Sequence, residues 1–413
     1  MDKRIIHYAG RVFDHEEKEM LQKACDEMWL TQGRYTKQFE KGLSDFLGIK
    51  YVHFCNSGSS ANLLAFMALT SPLLKERRIK RGDEVITVAC CFPTTVTPIL
   101  QYGAIPVFVD IELNSVNIDI SQLEKALSNK TKAVMIAHTL GNPFNIEKIV
   151  EFCKKNNLYL IEDNCDSLGS KHKNQYTGTF GDIATSSFYP AHHVTTGEGG
   201  AIYTNDALLS RIILSMRDWG RDCQCEGGTD NKCGKRFNTQ HGDLPFGWDH
   251  KYTYFSAGYN LKATDLQASI GVAQLKKLKS FIEDRRLNWL QLYLTLGELN
   301  NYFMFQRSDL QALPSWFGFL LTLKEGGSFT RNDIVEYLED NGIQTRMLFA
   351  GNIIKQPLFT ELKENKDYKV IGNLNNTNYI MNNSFWIGVY PGLSPEDIEY
   401  MIYYIKKFVS MHP

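Results

Sequence analysis

The chain has no excess of charge of either sign. Its 413 residues carry 45 Lys and Arg against 46 Asp and Glu, a formal net charge of −1. That balance makes no case for a nucleic-acid or membrane partner. Long apolar runs are missing as well. None approaches the length that spans a bilayer, and Met1-Asp2-Lys3-Arg4 is not followed by the apolar core of a signal segment. The expected location is the cytoplasm. Internal repeats, low-complexity tracts and charge blocks are all absent. The nine cysteines are an odd number; in a reducing compartment they point to buried thiols and metal ligands and not to disulfides. One absence is local: from Asn174 to Asn231 there is no lysine.

What remains is an ordinary globular composition, with 43% hydrophobic and 22% charged residues and enough chain for two sizeable cores. The apolar periodicity predicts helices over Asp14–Leu30 and Thr36–Leu47, then an alternation of short strands and helices. The strands are Tyr51–Cys55, Glu84–Cys90, Val107–Asp110, Ala133–Ala137 and Leu158–Asp163. Between them lie helices over Leu63–Leu69, Ile120–Leu127 and Ile146–Lys155. Such alternation means α/β architecture: a mostly parallel sheet with helices on both faces, and ligands beyond the carboxyl ends of the strands. Asp206–Met216, Ala263–Arg285 and Asn288–Leu299 read as further helices. Phe317–Leu323, Asn332–Asp340 and Pro395–Lys407 supply strand and helix for a smaller α+β part. The expected division is 1–278 for a large domain, including the N-terminal segment and a Cys-rich insert, and 279–413 for a small one.

Three stretches carry chemistry. Asn56-Ser57-Gly58-Ser59-Ser60-Ala61-Asn62 joins a strand to a helix, and a small-residue loop at a helix N-terminus is a ready anion site. Ser186-Ser187-Phe188-Tyr189-Pro190-Ala191-His192-His193 is a strand that turns at proline and delivers two adjacent histidines; Gly197-Glu198-Gly199-Gly200 follows, with a second strand over Gly200–Thr204. Arg217 to Cys233 is polar and glycine-rich, with three cysteines spaced Cys-x-Cys-x7-Cys. So long a loop needs a staple. Structural zinc is one possibility, although zinc pairs usually stand two to four residues apart; an iron–sulfur cluster suits the spacing at least as well.

The second stretch resembles the coenzyme loop of pyridoxal-phosphate (PLP) enzymes of aspartate-aminotransferase fold (fold type I), in the branch that acts on nucleotide-linked keto sugars. The resemblance covers essentially the whole chain, most strongly from Cys165 to Asn260. In that branch a lysine five residues after the strand serine, here Ser187, holds PLP as a Schiff base. This chain has His192 there. The resemblance implies further roles. Gly58, Ser59 and Ser60 would hold the coenzyme phosphate, and Phe92 would stack on its ring. Asp163 would face the pyridine nitrogen and keep it protonated, so that the ring can accept electrons. Asp166 occupies the position that contacts the ring hydroxyl, where relatives carry Gln or His, and Ser187 is a further coenzyme contact. Asn260 would reach the phosphate of a neighbouring subunit, which implies a homodimer. His193, Arg221 and Arg346 are candidates for the sugar nucleotide, Arg346 through a diphosphate.

Cys165 lies two residues past Asp163, and Cys-x57-Cys-x-Cys-x7-Cys over Cys165, Cys223, Cys225 and Cys233 resembles the [2Fe–2S] signature of one group. These are the pyridoxamine-phosphate (PMP)-dependent 3-dehydrases of CDP-4-keto-6-deoxyglucose in 3,6-dideoxyhexose biosynthesis. Cys25, Cys55, Cys90, Cys91 and Cys153 stand in apolar contexts and are expected in the core. The resemblance implies PMP and a [2Fe–2S] cluster, a nucleotide-linked 4-keto-6-deoxy sugar as substrate, and an NADH-dependent flavin/iron–sulfur reductase as electron donor. His192 would be the base that takes a proton from C-4′ of PMP. Three alternatives stay open: a cluster-independent 3-dehydratase, a sugar aminotransferase, which the missing lysine opposes, and a catalytically inert metal-binding sensor on the same fold.

Overall fold

The computed structural model describes residues 4–223, 225 and 228–412. Two helices lead the chain, α1 (His15–Glu27) and α2 (Arg34–Leu47). A capping box starts α1: the Asp14 side chain accepts from the Glu16 amide and Glu17 accepts from the Asp14 amide, which satisfies donors the first turn leaves free. The start of α2 is held by a residue from far along the chain. The buried Asp265 carboxylate accepts from the amides of Gly33, Tyr35 and Thr36 at 2.7, 3.1 and 3.0 Å. Cys25, expected in the core, is exposed on α1. The helix is amphipathic, and its buried positions include the neighbouring Ala24, one step round the helix.

Strands and helices then alternate: β1 (Tyr51–Cys55), α3 (Gly58–Ala68), β2 (Glu84–Val88), α4 (Pro93–Tyr102), β3 (Ile105–Val109) and β4 (Thr131–Ala137). Next come α5 (Ile146–Lys155), β5 (Tyr159–Asp163), β6 (Ile183–Ser187), β7 (Gly200–Thr204) and α6 (Ala207–Arg217). The expected helix over Ile120–Leu127 is shorter than predicted, a 3-10 turn at Ile120–Gln122 and one α turn at Leu123–Ala126. The last third holds α7 (Asp265–Leu296), β8 (Phe303–Phe305), β9 (Gly318–Leu323), α8 (Arg331–Asp340), β10 (Lys369–Val370), β11 (Ser384–Gly388) and α9 (Pro395–Ser410).

Eight strands form the main sheet in the order β1-β7-β6-β5-β4-β2-β3-β10. The pairs from β6 to β10 are parallel, and only β7 runs against its neighbours. β2, β5, β6 and β7 are buried at every position, as a sheet covered on both faces requires. Alternate residues serve opposite faces. Val85, Ala133, Met135, Ile161 and Ile183 pack with Leu64 and Phe66 of α3 and Ile212 of α6. Ile86, Val134, Ile136 and Leu160 pack on the other side with Ile149 and Phe152 of α5.

The two helices expected over Ala263–Arg285 and Asn288–Leu299 are one helix of 32 residues, α7. No Gly or Pro stands between Arg285 and Asn288 to end it. The apolar stripe shifts because the helix leaves one core and enters another. Leu278, Phe281 and Ile282 pack with α2 and β1, whereas Leu292 and Leu296 pack under the small antiparallel sheet β8-β9-β11. A division at residue 278 therefore cuts α7. It also separates β10 from its parallel partner β3, and Ile6 from its bridge to Ile343.

Asp265 links the start of α7 to the start of α2. Asp265→Ala would leave the buried amides of Tyr35 and Thr36, the half-buried Gly33 amide and the Thr36 hydroxyl without their acceptor, at a cost of about 3 kcal/mol. Urea unfolding should show a lower midpoint with the slope unchanged.

Candidate active site

A cleft of about 510 Å³ opens at the carboxyl ends of β5 and β6, the position that α/β sheets use for ligands. Its walls come from stretches that lie far apart along the chain. Ser57, Gly58 and Ser59 lie at the start of α3, and Phe92 at the start of α4. Asp163, Cys165 and Asp166 follow β5, and Ser187 and His192 follow β6. Tyr8, Phe317, Arg346, Met347 and Trp386 close the far side.

The small-residue loop proves to be the first turn of α3 itself. Ser57 caps the helix, and its hydroxyl accepts from the Ser60 amide at 3.0 Å. The amides of Gly58 and Ser59 remain at the positive end of the helix dipole. Ser60 does not line the cleft, since its amide is spent on the cap. Gly58 is required by crowding: a Cβ there would stand 2.4 Å from the Cβ of Ser187. The start of α3 and the histidine strand can meet this closely only at glycine.

Asp163 ends β5 and is buried. Its Oδ2 accepts from Asn62 Nδ2 at 2.8 Å and Thr95 Oγ1 at 2.7 Å, and its Oδ1 from the Cys165 amide at 3.2 Å. Thr185 donates in turn to Asn62 Oδ1 at 2.7 Å. Sequence reading did not single out Asn62, Thr95 or Thr185. The signal was present for Asn62, a polar residue heading an apolar helix.

His192 lines the cleft and turns its ring toward Phe317, 5.0 Å between centroids. Its Nδ1 lies 3.6 Å from Asp166 Oδ1, beyond hydrogen-bond reach, and neither His192 Nδ1 nor Asp166 Oδ2 has a partner. Burial pushes the imidazole down to about 4, with the Arg285 guanidinium adding to the effect. Burial, reinforced by Asp163, raises Asp166 to about 8. At neutral pH the contact therefore joins a neutral imidazole and a protonated carboxyl, and it is not an ion pair. Arg285 is another residue that sequence reading missed. Buried in the middle of α7, it donates to the carbonyls of Ala191 and His192 at 3.3 and 3.2 Å, and to those of Trp316 and Phe317 at 3.2 and 3.3 Å.

Of the remaining candidates, Phe92 stands at the mouth of the cleft, 52% exposed. Arg346 lines it with its guanidinium 3.8 Å from the Tyr8 ring and Nη1 on the Thr345 carbonyl. His193 does not face the cleft. It is buried, with Nε2 2.9 Å from the Ser315 carbonyl, because adjacent residues at this turn point to opposite sides. Arg221 and Asn260 also lie outside the cleft of their own chain. They belong to an arm whose legs pair through the bridges Asp218–Asn260 and Arg221–Tyr254. Arg221 packs its guanidinium 4.5 Å from the Trp219 ring, and Asn260 is exposed and accepts from Lys262.

The tip of the arm gathers Cys223, Cys225 and Cys233 with His250 around one small cavity. The Cys225 amide meets Cys223 Sγ at 3.4 Å, and His250 Nδ1 lies 3.6 Å from Cys233 Sγ. His250 Nε2 is 2.9 Å from Asp222, and Asp222, His241 and His250 bring donor atoms within 4.8 Å of one another. The two histidines and this carboxylate were not anticipated; the cysteine spacing drew attention away from them. Cys165, expected in the same set, is elsewhere. It lines the main cleft, where burial and Asp163 hold its thiol well above the usual range. Within the described residues of one chain, the four thiols do not converge.

A mostly parallel sheet with helices on both faces, functional groups at its strand ends and a small antiparallel sheet closing the cleft define an aspartate-aminotransferase-like enzyme fold, fold type I. The chain belongs to the DegT/DnrJ/EryC1/StrS aminotransferase family, whose model matches residues 12–406. It is 50% identical over 408 residues to the lipopolysaccharide biosynthesis protein RfbH of Salmonella typhimurium, covering 99% of this chain and 92% of that protein. It is 46% identical over 405 residues to the dTDP-4-dehydro-2,6-dideoxy-D-glucose 3-dehydratase of Saccharopolyspora spinosa, covering 98% and 87%. Among solved structures, E. coli GDP-4-keto-6-deoxy-D-mannose-3-dehydratase with bound hydrated PLP superposes with a TM-score of 0.86 at 32% identity, over 97% of this chain and 100% of that one.

The environment of His192 is testable directly. Histidine-labelled protein followed by NMR should show an imidazole with its midpoint near pH 4, beside those of His53 and His193, which burial also holds low. That resonance should be absent from His192→Asn. A midpoint near 6.5, the ordinary histidine value, would mean that water and not Arg285 and Phe317 surrounds the ring.

Proposed function

We propose that this chain is a PMP-dependent 3-dehydrase that removes the C-3 hydroxyl of a nucleotide-linked 4-keto-6-deoxyhexose. The observation that carries the reading is His192: an imidazole five residues past Ser187, in a cleft whose lining includes no lysine among the described residues. An aminotransferase needs a lysine there to recapture its coenzyme. The similarity to proteins named 3-dehydratases supports the same conclusion.

The cleft suits PMP. The free amides of Gly58 and Ser59 at a helix N-terminus fit a phosphate. Asp163, oriented by Asn62 and Thr95, fits a protonated pyridine nitrogen. The unpartnered Oδ2 of a protonated Asp166 fits the ring hydroxyl, and Phe92 fits the face of the ring. Bound PMP supplies an amino group that joins the 4-keto carbon and a ring that accepts electrons. Asp163 holds the ring nitrogen in its protonated form. His192, neutral at physiological pH, would take the proton from C-4′ while the sugar's 3-hydroxyl leaves with its bonding pair. Arg285 keeps the imidazole in place through the Ala191 and His192 carbonyls. Arg346, braced on Tyr8, is the candidate for the diphosphate.

The wider reading adds a [2Fe–2S] cluster on Cys165, Cys223, Cys225 and Cys233. An NADH-dependent flavin/iron–sulfur reductase would supply the two electrons that turn the dehydrated sugar into a 3-deoxy-4-keto sugar, with CDP as the favoured nucleotide. It rests on the spacing of the four cysteines and on the convergence of three of them with His250. The separation of Cys165 from that group favours a second reading, a hydrolytic 3-dehydratase that needs no cluster. The visible spectrum of protein purified without oxygen, with iron and sulfide analysis, decides between them. Iron and sulfide in equal amounts support the reductive enzyme, and their absence supports the hydrolytic one.

Two variants separate proton chemistry from electron delivery. His192→Asn should lose exchange of solvent hydrogen into C-4′ of PMP by two orders of magnitude or more, on the order of a positioned general base, while keeping any cluster absorbance. Cys223→Ala should keep that exchange and lose reduced product, with substrate affinity measured alongside. Borohydride should leave no coenzyme attached to the wild-type chain. A stable pyridoxyl-lysine on any peptide would remove His192 from the anchor position.

A further inference from the structure

We infer that the metal centre is completed between two copies of the chain: Cys223, Cys225 and Cys233 of one protomer with Cys165 of its partner. The inference rests on the cluster reading above and resolves the misfit found within a single chain.

Three thiols meet at the tip of the arm, and a [2Fe–2S] cluster requires four protein ligands. Cys165 is fixed elsewhere, in the wall of the coenzyme cleft, beside Asp163 and Asp166. Neither leg of the arm is free to carry the tip to that wall. Asp222 donates its amide to the Thr253 carbonyl at 2.9 Å, Phe255 donates to Gly220 at 3.1 Å, and Asn56 donates to Leu261 at 2.9 Å. Gly220 is packed so tightly against Ser256 that a Cβ would fall 1.8 Å from its carbonyl oxygen. The tip has its own lock: Arg236 grips Asp249 through Nε and Nη2 at 3.1 and 2.8 Å, and His250 meets Asp222. The arm is thus a built extension that carries its thiols away from the cleft of its own chain.

The surfaces at the two ends of the gap match in kind. The arm exposes Trp219, Phe237, Phe246 and Trp248, with Phe246 74% exposed. The mouth of the cleft exposes Phe92 and Tyr189. Aromatic groups this large are costly to leave in water, and together they mark a surface that another surface covers. A second copy of the chain carries both ends of the contact, so one two-fold arrangement would satisfy both arms and both clefts at once. It would bring the three thiols of each arm to the one thiol that borders the other coenzyme. His250, with Asp222 behind it, would remain beside Cys233 as a hydrogen-bonding neighbour of the cluster sulfur.

The test uses co-expressed full-length chains with two different tags. One chain carries Cys165→Ala and the other carries both Cys223→Ala and Cys225→Ala. Mixed dimers are isolated by both tags without oxygen. Iron, sulfide and visible absorbance are then measured beside the wild type and the two mutant homodimers. If the centre is shared, each homodimer is empty and the mixed dimer holds about half the wild-type iron and sulfide, because one of its two sites has all four thiols. If each centre lies within one chain, neither half of the mixed dimer has a full set and it is as empty as the homodimers, which overturns the inference. A Cys165→Ala homodimer that keeps its iron while His250→Ala loses it also overturns the inference and makes the imidazole the fourth ligand. A monomeric wild type that carries the full cluster overturns it as well. Wild type without iron and sulfide removes the cluster reading itself, an outcome separate from the mixed-dimer result.

Discussion

A single buried guanidinium holds the active centre together. Arg285 sits within the long helix α7 and donates to four carbonyls, two on the His192 turn and two at the entrance to β9. A charge taken out of water is expensive unless hydrogen bonds and an opposite charge replace its solvation. Here the four carbonyls supply the first, and burial still lowers the guanidinium to about 10. Because α7 runs from the large sheet to the small one, the same residue fixes the position of the His192 turn against the wall of the cleft contributed by Phe317. A chain with only the strand-end residues in place would have no rigid partner for His192.

The electrostatics of the cleft follow from that arrangement. Arg285 and burial keep the imidazole unprotonated, while Asp163 and burial keep Asp166 protonated. Two groups that would otherwise pair as ions become a free base and a neutral donor a few ångströms apart. Pushing two pKa values apart in this way lets one cleft offer both functions at the same pH. Asp163 is managed differently, by three donors that fix its orientation and satisfy its oxygens. The chain spends its buried polar contacts on orientation around one carboxylate and on protonation state around the other.

The arm is a separate device grafted on this frame. It leaves the large domain after α6, returns ahead of α7 and is held by its own ion pairs and by a glycine that only a missing Cβ allows. Its returning leg is tied to the frame through Tyr259 and Leu261, which pack against the core beneath α3 and α6.

The sequence by itself determined the alternation of strands and helices and the parallel sheet, because these depend on local periodicity; it offered Gly58, Asp163, Ser187 and His192 as candidates through short motifs and their resemblance to a family. Strand limits such as Tyr51–Cys55 and Gly200–Thr204 were legible to the residue, since β-branched runs end abruptly at turn residues. What the sequence could not contain is which distant groups meet. Asn62, Thr95 and Thr185 around Asp163, Arg285 behind His192, and Tyr8 and Trp386 across the cleft lie tens to hundreds of residues apart, and no local pattern records their contact. The continuity of α7 was hidden for a related reason: its apolar stripe turns as it passes from one core to another, so periodicity read it as two helices. Likewise, four cysteines in a recognisable spacing looked like one set. Only the tertiary structure, by fixing Cys165 in the cleft wall and the other three on a rigid arm, decided that one chain does not bring them together, because spacing along a chain is not distance across a fold.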